Sequence, residues 1–233
     1  MARIKVMSAG AVQAMVTALG NEFASANGHT LDLNFATVGT LRDQLAAGEA
    51  ADLVILSESA IAALDKPGVF FPGSRKDLGR TVTGVCVREG AQAPDITTVE
   101  ALKRALLEAR AVAYSDPRGG GSSGTFFAGL LDRLGIADAV NKKAVLGKRG
   151  YEVAEAVARG EAEIGSTFIS EILTVKGVRI AGPLPPGLDN ANTYTGAILA
   201  NSAASAAAGA LLQALSDPAT RPRWTAAGLE PSF

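Results

Sequence analysis

The sequence is short of the residues that build disulfides, zinc sites and membrane spans. Cys86 is the only cysteine and His29 the only histidine, so neither an internal disulfide nor a Cys/His zinc cluster can form. No apolar run approaches the roughly 18 residues of a membrane helix, and 22 basic residues nearly balance 23 acidic ones. We therefore expect no nucleic-acid partner, no membrane insertion, no metal and no cofactor, and any preference for anions must be local.

Aromatic residues are also scarce, at 5% against 48% hydrophobic residues overall, so the core must be built from Ala, Val, Leu and Ile. Short apolar runs alternate with segments of helical period. The strands RIKVMSA, TLDLNFA and ADLVILS bracket two helices, and the first helix is predicted to end at Gly28. This βαβαβ order, which continues along the chain, predicts an α/β fold with a parallel sheet and right-handed crossovers.

The amino-terminal stretch MARIKVMSAGAVQAM has no long apolar segment followed by a cleavage site. A chain without such a segment is expected in the cytoplasm. If the sequence is a mature form whose leader has been removed, the periplasm is expected instead.

Three loops that follow predicted strands combine small residues and a hydroxyl with a helix immediately downstream. A helix amino terminus exposes unpaired N–H groups and a partial positive charge, so small side chains there let an anion approach the backbone. The alternative is a flexible loop that ends in a serine N-cap. The candidate ligand-binding residues in these loops are Ser8, Gly10, Ala11, Val38, Gly39, Thr40, Ser122, Ser123 and Gly124.

Several common catalytic and nucleotide-binding motifs are missing. No G-x-G-x-x-G follows the first strand, and neither a P-loop nor G-x-S-x-G occurs in the chain. His29 lies in the stretch ANGHTLD, where we expect a solvated turn residue rather than a catalytic base. Cys86, flanked by valines, is predicted to be inert core.

A second polar cluster lies in LGKRGYEVAEAVARGEAEIGSTF. Lys148, Arg149 and Tyr151 precede or open a predicted helix, and the strand that follows ends near Thr167. A guanidinium fixed beside hydroxyls suits bidentate binding of a carboxylate. The alternative is a basic turn in solvent.

At these loops the sequence resembles the molybdate-binding branch of the class II periplasmic substrate-binding proteins. The matching stretches are IKVMSAGAVQAM, FATVGTLRDQLAAGEAADLVI, YSDPRGGGSSG with DRLGI, AVARGEAEIGSTF and ALSDPATRPRWTAAGLEP. The resemblance implies two α/β lobes joined by two crossover strands, with the ligand in a cleft between them. The first lobe would comprise residues 1–82 and 196–233, and the second residues 83–195.

The resemblance also implies which residues meet the ligand: Gly10, Val38 or Gly39, Ser123, Gly150 and Phe168. Molybdate binders of this branch carry hydroxyls where this chain has Gly10 and Phe168, which disfavours molybdate or tungstate. The added Ser122, Lys148, Arg149 and Thr167 favour a carboxylate-bearing anion.

Three functions follow from the resemblance. The first is binding of a small anion, a di- or tricarboxylate, for delivery to an ABC transporter permease. The second is isomerisation of a tricarboxylate by allylic proton transfer, because the same branch includes enzymes of the aconitate-isomerase type. Lys148, Tyr151 and Glu152 are then the candidate bases. The third is molybdate or tungstate binding for transport.

Overall fold

A computed structural model describes residues 1–188 and 190–233. The chain forms two compact units: Met1–Arg80 with Asn192–Phe233, and Thr81–Ala191. Each boundary lies at or within a strand, so each of the two connections between units is itself a strand. The fold is mixed α/β.

The strands are β1 (Arg3–Ala9), β2 (Thr30–Ala36), β3 (Leu53–Ser57), β4 (Lys76–Arg88), β5 (Val112–Ser115), β6 (Ala144–Gly147), β7 (Ile164–Phe168), β8 (Val178–Pro183), β9 (Ala191–Ile198) and β10 (Glu230–Pro231). The helices are α1 (Gln13–Asn27), α2 (Val38–Ala46), α3 (Glu58–Leu64), α4 (Val99–Glu108), α5 (Ser122–Arg133), α6 (Ala137–Asn141), α7 (Gly150–Ala158), α8 (Ile169–Ile172), α9 (Ser205–Leu215) and α10 (Arg221–Ala226).

In the first unit β1 pairs in parallel with β2 and β3, as the βαβαβ pattern predicts. Not every strand of the sheet is parallel, because β9 runs antiparallel to β3 and β10 runs antiparallel to the start of β4. A period-two pattern fixes which face a side chain takes but not the direction of the strand. Helices α1 and α9 pack together in this unit, and the wholly buried Trp224 donates its indole N–H to the Leu215 carbonyl at 3.0 Å.

In the second unit β5 pairs in parallel with β6 and β7, whereas β4 runs antiparallel to both β7 and β8. Side chains alternate between two cores, as a strand with a period of two requires. Val112 joins one core with residues of α4, α5 and α6, and the next residue, Ala113, joins the other core with residues of α7. The helices therefore cover both faces of the sheet.

Helix α1 ends as predicted, at Gly28, which takes the left-handed φ of 66° that favours glycine. His29 differs from the prediction of a solvated turn. Its ring is half-buried, its Nδ1 accepts the backbone N–H of Ala2 at 3.1 Å, and it stacks on Phe23 at 5.7 Å. The histidine thus ties the end of α1 to the start of the chain.

Cys86 is buried core, as predicted, and burial raises the pKa of its thiol to about 12. Four short elements were not predicted: α3, α6, β6 and β10. Each spans seven residues or fewer, which gives too little periodicity to recognise. Among the described residues no helix has the length and apolar character to cross a membrane.

Candidate functional site

The first two predicted loops lie at the carboxyl ends of parallel strands in the first unit. Ser8 is fully buried near the end of β1, and its hydroxyl donates to the Ala9 carbonyl at 3.3 Å. Gly10 and Ala11 form a single 3-10 turn that leads into α1. The hydroxyl of this loop is therefore engaged within the loop.

The second loop opens α2. The Thr37 side chain caps the helix by accepting the backbone N–H of Thr40 at 3.2 Å, and the two hydroxyl oxygens lie 2.9 Å apart. Val38 and Gly39 form the first turn, and Thr40 is exposed. The N–H groups of this helix terminus are thus partly satisfied by its own side chains.

The third loop, in the second unit, explains the run of glycines that follows β5. A short 3-10 turn at Pro117–Gly119 is capped by Asp116, and Gly120 adopts a left-handed φ of 67°. Gly124, in the first turn of α5, lies so close to β5 that a Cβ there would stand 2.3 Å from the Ser115 carbonyl oxygen. One glycine therefore serves the turn, and another allows close packing of helix on strand.

Buried hydroxyls converge where β5 and β7 end. The Ser115 and Ser123 hydroxyl oxygens lie 3.5 Å apart, and Oγ1 of Thr167 lies 3.4 Å from Oγ of Ser123. All three side chains are at least 96% buried, with exposed fractions of 3%, 4% and 0%. We call this group, together with Glu171, the hydroxyl–carboxyl cluster.

Glu171 completes the cluster from α8. The Thr167 hydroxyl donates to its Oε2 at 2.7 Å. Burial raises the pKa of Glu171 to about 7, although hydrogen bonds from Thr167 and from the N–H groups of Phe168 and Gly150 act in the opposite direction. A Cβ at Gly150 would lie 1.8 Å from Oε2 of Glu171, so only glycine at the first position of α7 accommodates this carboxyl.

The basic turn before α7 has a different arrangement. Arg149 forms an ion pair with Glu152 at 3.1 Å, and its guanidinium lies 4.8 Å from the centre of the Tyr151 ring. Burial favours a higher pKa for Glu152, but hydrogen bonds from Arg149 and from the Lys148 N–H outweigh it and hold the pKa below its usual value. Burial raises the pKa of Tyr151.

Lys148 lies beside the glycine loop, because a Cβ on Gly119 would stand 4.0 Å from the Lys148 carbonyl oxygen. The residue is exposed, and its ammonium group makes no ion pair with any described side chain. Of the two basic residues in this turn, Lys148 is thus the one whose charge is available to a ligand.

The structure brings Ser123, Thr167 and Gly150 together around Glu171, a residue that sequence reasoning missed. Ser122 and Gly124 flank Ser123 in the first turn of α5, and Phe168 ends β7 beside Thr167. The available signal was a lone acidic residue four positions after Thr167, in a short apolar helix directly after a strand.

Two further hydroxyls in this unit are buried without a hydrogen-bond partner among the described residues: those of Thr83, which pairs across the sheet with Phe168, and of Ser170 on α8. Within residues 1–188 and 190–233, no group of three or more His, Cys, Asp or Glu side chains could hold a metal ion. The donors of this region are hydroxyls, backbone N–H groups and one carboxyl.

In α/β proteins, hydroxyls and helix amino termini at the carboxyl ends of parallel strands mark the place where small ligands bind. The chain belongs to the bacterial extracellular solute-binding protein family, whose sequence pattern matches residues 4–230. It lies in the branch that resembles molybdate-binding proteins, so the predicted resemblance and two-lobed fold class are confirmed.

Among characterised proteins, an aconitate isomerase from a Pseudomonas species is 32% identical over 234 residues, which cover 98% of this chain and 87% of the relative. The molybdate-binding protein ModA of Escherichia coli (strain K12) is 24% identical over 185 residues, covering 78% of this chain and 72% of that protein.

Solved structures show the same fold. The sulfate-binding protein SubI from Mycobacterium tuberculosis H37Rv superposes with a TM-score of 0.77 at 19% identity, covering 100% of this chain and 88% of that one. The periplasmic molybdate-binding protein of Azotobacter vinelandii superposes with a TM-score of 0.75 at 20% identity, covering 97% and 98%.

Proposed function

We propose that the second unit binds a small organic anion, a di- or tricarboxylate, at the amino ends of α5 and α7. The observation that carries this proposal is Glu171, a buried carboxyl among the hydroxyls of the predicted anion site. A carboxylate ligand can share a proton with a carboxyl group in a short hydrogen bond. An ionised Glu171 repels either kind of anion, and only its protonated form can donate a hydrogen bond to one.

The amino terminus of α5 supplies the first set of donors. Its N-cap is Gly121, and no side chain of the described residues caps it, in contrast to α2, α3 and α4, whose N-caps Thr37, Ser57 and Thr98 accept a backbone N–H through their hydroxyls. The peptide dipoles of this 12-residue helix add up to a partial positive charge at its amino terminus. A ligand carboxylate is the natural partner for its first N–H groups.

The amino terminus of α7 is used differently. The resemblance implies that Gly150 offers its N–H to the ligand, yet this N–H already interacts with the Glu171 carboxyl. One of the donors used for a tetrahedral oxyanion is therefore shared with an internal acid. The backbone carbonyl of Lys148 lies beside the glycine loop and the residue is exposed, so we expect its ammonium group to meet a second carboxylate of the ligand.

A thermal-shift panel tests the proposal with citrate, cis-aconitate and trans-aconitate against molybdate, tungstate and sulfate. A ligand that binds only the folded protein raises its melting temperature by mass action. We expect the polycarboxylates to raise it and the oxyanions to leave it unchanged at equal concentration. Stabilisation by molybdate or tungstate alone would instead indicate a transport protein for those oxyanions.

Substitution of Ser123 locates the site. Ser123→Leu places a bulky apolar side chain in the buried cluster and should abolish the polycarboxylate shift. Thr125→Leu is the matched control, because Thr125 is exposed on the same helix. Retained binding by a folded Ser123→Leu protein would contradict the assignment of the α5 terminus.

Delivery of the anion to an ABC transporter permease is the role that this proposal implies for a solute-binding protein. A second candidate function is isomerisation, and Glu171 is the observation that favours it. An allylic shift removes a proton from a methylene beside a double bond and returns it at the other end of the allylic system, with no net oxidation. A base of near-neutral pKa suits both steps better than Glu152, whose pKa is held low by its ion pair.

Proton NMR in D₂O separates the two functions. An isomerase would convert cis-aconitate into trans-aconitate, or the reverse, and would place deuterium in the product. A binding protein would leave both isomers unchanged over hours at stoichiometric concentration. Glu171→Gln should then bind without turnover, whereas full turnover by that variant would exclude Glu171 as the base.

A further inference from the structure

We propose that Glu171 couples anion binding in the second unit to the uptake of one proton, by reversing the direction of hydrogen bonds in the hydroxyl–carboxyl cluster. This inference rests on the proposed function, because it concerns the same site. It goes beyond it by making Glu171 a positioning residue that sets the affinity of the anion through Thr167 and Ser123.

The number of hydroxyl hydrogens limits which bonds the cluster can form. The Thr167 hydroxyl has one hydrogen, and its oxygen lies 2.7 Å from Oε2 of Glu171 and 3.4 Å from Oγ of Ser123. An ionised Glu171 can only accept, so it takes the Thr167 hydrogen. Thr167 can then only accept from Ser123, and the Ser123 hydrogen also points inward, away from any anion at the end of α5.

Protonation of Glu171 reverses this order. A neutral carboxyl can donate its own O–H to Thr167, which frees the Thr167 hydrogen for Ser123 and the Ser123 hydrogen for a ligand. Ser123 lies in the first turn of α5, beside Ser122 and Gly124, where an anion would meet the helix terminus. The proton on Glu171 therefore turns the Ser123 hydroxyl into a donor for the anion.

Charge repulsion between Glu171 and the bound anion also favours uptake of a proton. An ionised carboxylate at 8% exposure repels a second anion nearby, because little water screens the pair. No ion pair joins Glu171 to any described side chain, so its charge is not offset locally. A pKa of about 7 in the free protein means that the proton is absent for much of the population at mildly alkaline pH and can be supplied on binding.

We assign the proton taken up on binding to Glu171 rather than to the ionisable groups on the elements around α8. Strand β7 carries none, and on β8 the Arg179 guanidinium donates to the Ala91 carbonyl at 2.7 Å. In the second unit β4 carries Cys86, whose thiol is neutral below about pH 12, and the exposed Arg88. The ionisable residues of α7 and its N-cap are Arg149, Tyr151, Glu152 and Glu155.

Ion pairs engage the charged residues of α7 and its N-cap. Glu152 is paired with Arg149, and Glu155 lies 3.7 Å from Arg159. The pKa of Tyr151 is raised from a value that is already alkaline. Between about pH 7 and 9, the affinity for a fully ionised anion should therefore fall up to tenfold for each unit of pH, and Glu171 should be responsible for that fall.

Isothermal titration calorimetry at pH 8 measures the coupling directly. Citrate and trans-aconitate are titrated in buffers of different ionisation enthalpy, at a pH where their own carboxyls stay ionised. The wild type should take up close to one proton for each anion bound. Glu171→Gln, which mimics the neutral carboxyl, should take up almost none and should bind about tenfold more tightly than the wild type at this pH.

Glu155→Gln is the control, because it removes an acid of α7 outside the cluster and should keep the wild-type proton uptake. Thr167→Val gives a second test if Glu171→Gln does not fold: it removes the hydrogen-bond relay to Ser123 and leaves only the charge repulsion, so it should take up less proton than the wild type. Anion binding by the wild type without proton uptake, or full uptake by Glu171→Gln, would overturn this inference and leave the proposed function intact. Failure of every polycarboxylate to bind would overturn both.

Discussion

Two buried carboxyl groups, one in each unit, have pKa values that are shifted in opposite directions. Asp52 in the first unit is 5% exposed and accepts the N–H of Lys5 at 2.8 Å, the Ser202 hydroxyl at 2.7 Å and the N–H of Ala204 at 3.1 Å. Burial alone favours a higher pKa for Asp52, but these donors, with a further one from Ala203, hold its pKa below the usual value. Glu171 in the second unit is 8% exposed, and its pKa is raised to about 7.

The difference lies in the balance between burial and hydrogen-bond donors, because the carboxyl of Glu171 is buried more deeply than that of Asp52 and receives one donor fewer. Asp52 connects β1 to the segment before α9 by accepting hydrogen bonds from both, so its role is structural. Glu171 has too few donors for its depth and shares one of them, Thr167, with the predicted anion site. A group that gains and loses a proton near neutral pH belongs to function rather than to the framework.

The largest expected effect comes from removing the space that Glu171 occupies. Gly150→Ala places a methyl group where the carboxyl lies, 1.8 Å from Oε2, so the side chain must leave its buried position. We expect a loss of about 4 kcal/mol in the free energy of unfolding, measured by urea denaturation. Gly129→Ala is the control: a Cβ at this mid-helix position would have nothing within 4 Å, so the change should stabilise by about 0.5 kcal/mol or more. Equal effects of the two changes would contradict the packing described for Glu171.

The next effect is the pH dependence of stability. Because the pKa of Glu171 is raised from 4.5 to about 7 on folding, the stability that its proton confers is fully present below about pH 4.5 and is lost as pH rises through 7. The free energy of unfolding of the wild type should therefore fall relative to that of Glu171→Gln by about 3 kcal/mol between pH 4.5 and 8. Parallel pH profiles of the two proteins would show that Glu171 titrates alike in both states.

Asp52 should behave in the opposite sense and with a smaller effect. Its depressed pKa means that its stabilisation is present above the unfolded value of 3.8 and is lost as pH falls through the folded value. Asp52→Asn should cost about 2 kcal/mol at pH 7, because the amide offers fewer acceptor sites to the same donors. The cost should shrink toward pH 3, and a cost that grows on acidification would contradict the comparison.

The smallest effect should come from Arg149, which contacts neither buried carboxyl. Its side chain is 48% exposed and already paired with Glu152. We expect Arg149→Ala to change the affinity for citrate by less than about 0.5 kcal/mol in calorimetry. Lys148→Ala should weaken citrate binding more than Arg149→Ala does, because the Lys148 ammonium makes no ion pair with a described side chain and is available to the ligand.

Much of the fold could be predicted from periodicity and from glycine positions. The βαβαβ order from β1 to β3, the end of α1 at Gly28 and the burial of Cys86 all followed from local patterns. The antiparallel direction of β9 and the short elements α3, α6, β6 and β10 did not, because strand direction and elements of one or two turns leave no periodic signal.

The site was predictable only where it depends on local patterns of sequence. Small residues and hydroxyls after strands mark helix termini, which is a local pattern. The burial of Glu171 is not local, because it depends on Gly150 and Thr167, which come from two other elements of the sheet and its helices. Nor does the sequence show that Arg149 pairs with Glu152 rather than facing outward to a ligand.

The most direct test is a carbon-13 NMR titration of the side-chain carboxyl carbons, with Asp52 and Glu171 assigned by Asp52→Asn and Glu171→Gln. The account predicts that the Glu171 carbon titrates near pH 7, that its midpoint moves higher when citrate is bound, and that the Asp52 carbon titrates below pH 3.8. A Glu171 midpoint near 4.5, unmoved by citrate, would contradict the claim that this carboxyl carries a proton at the anion site.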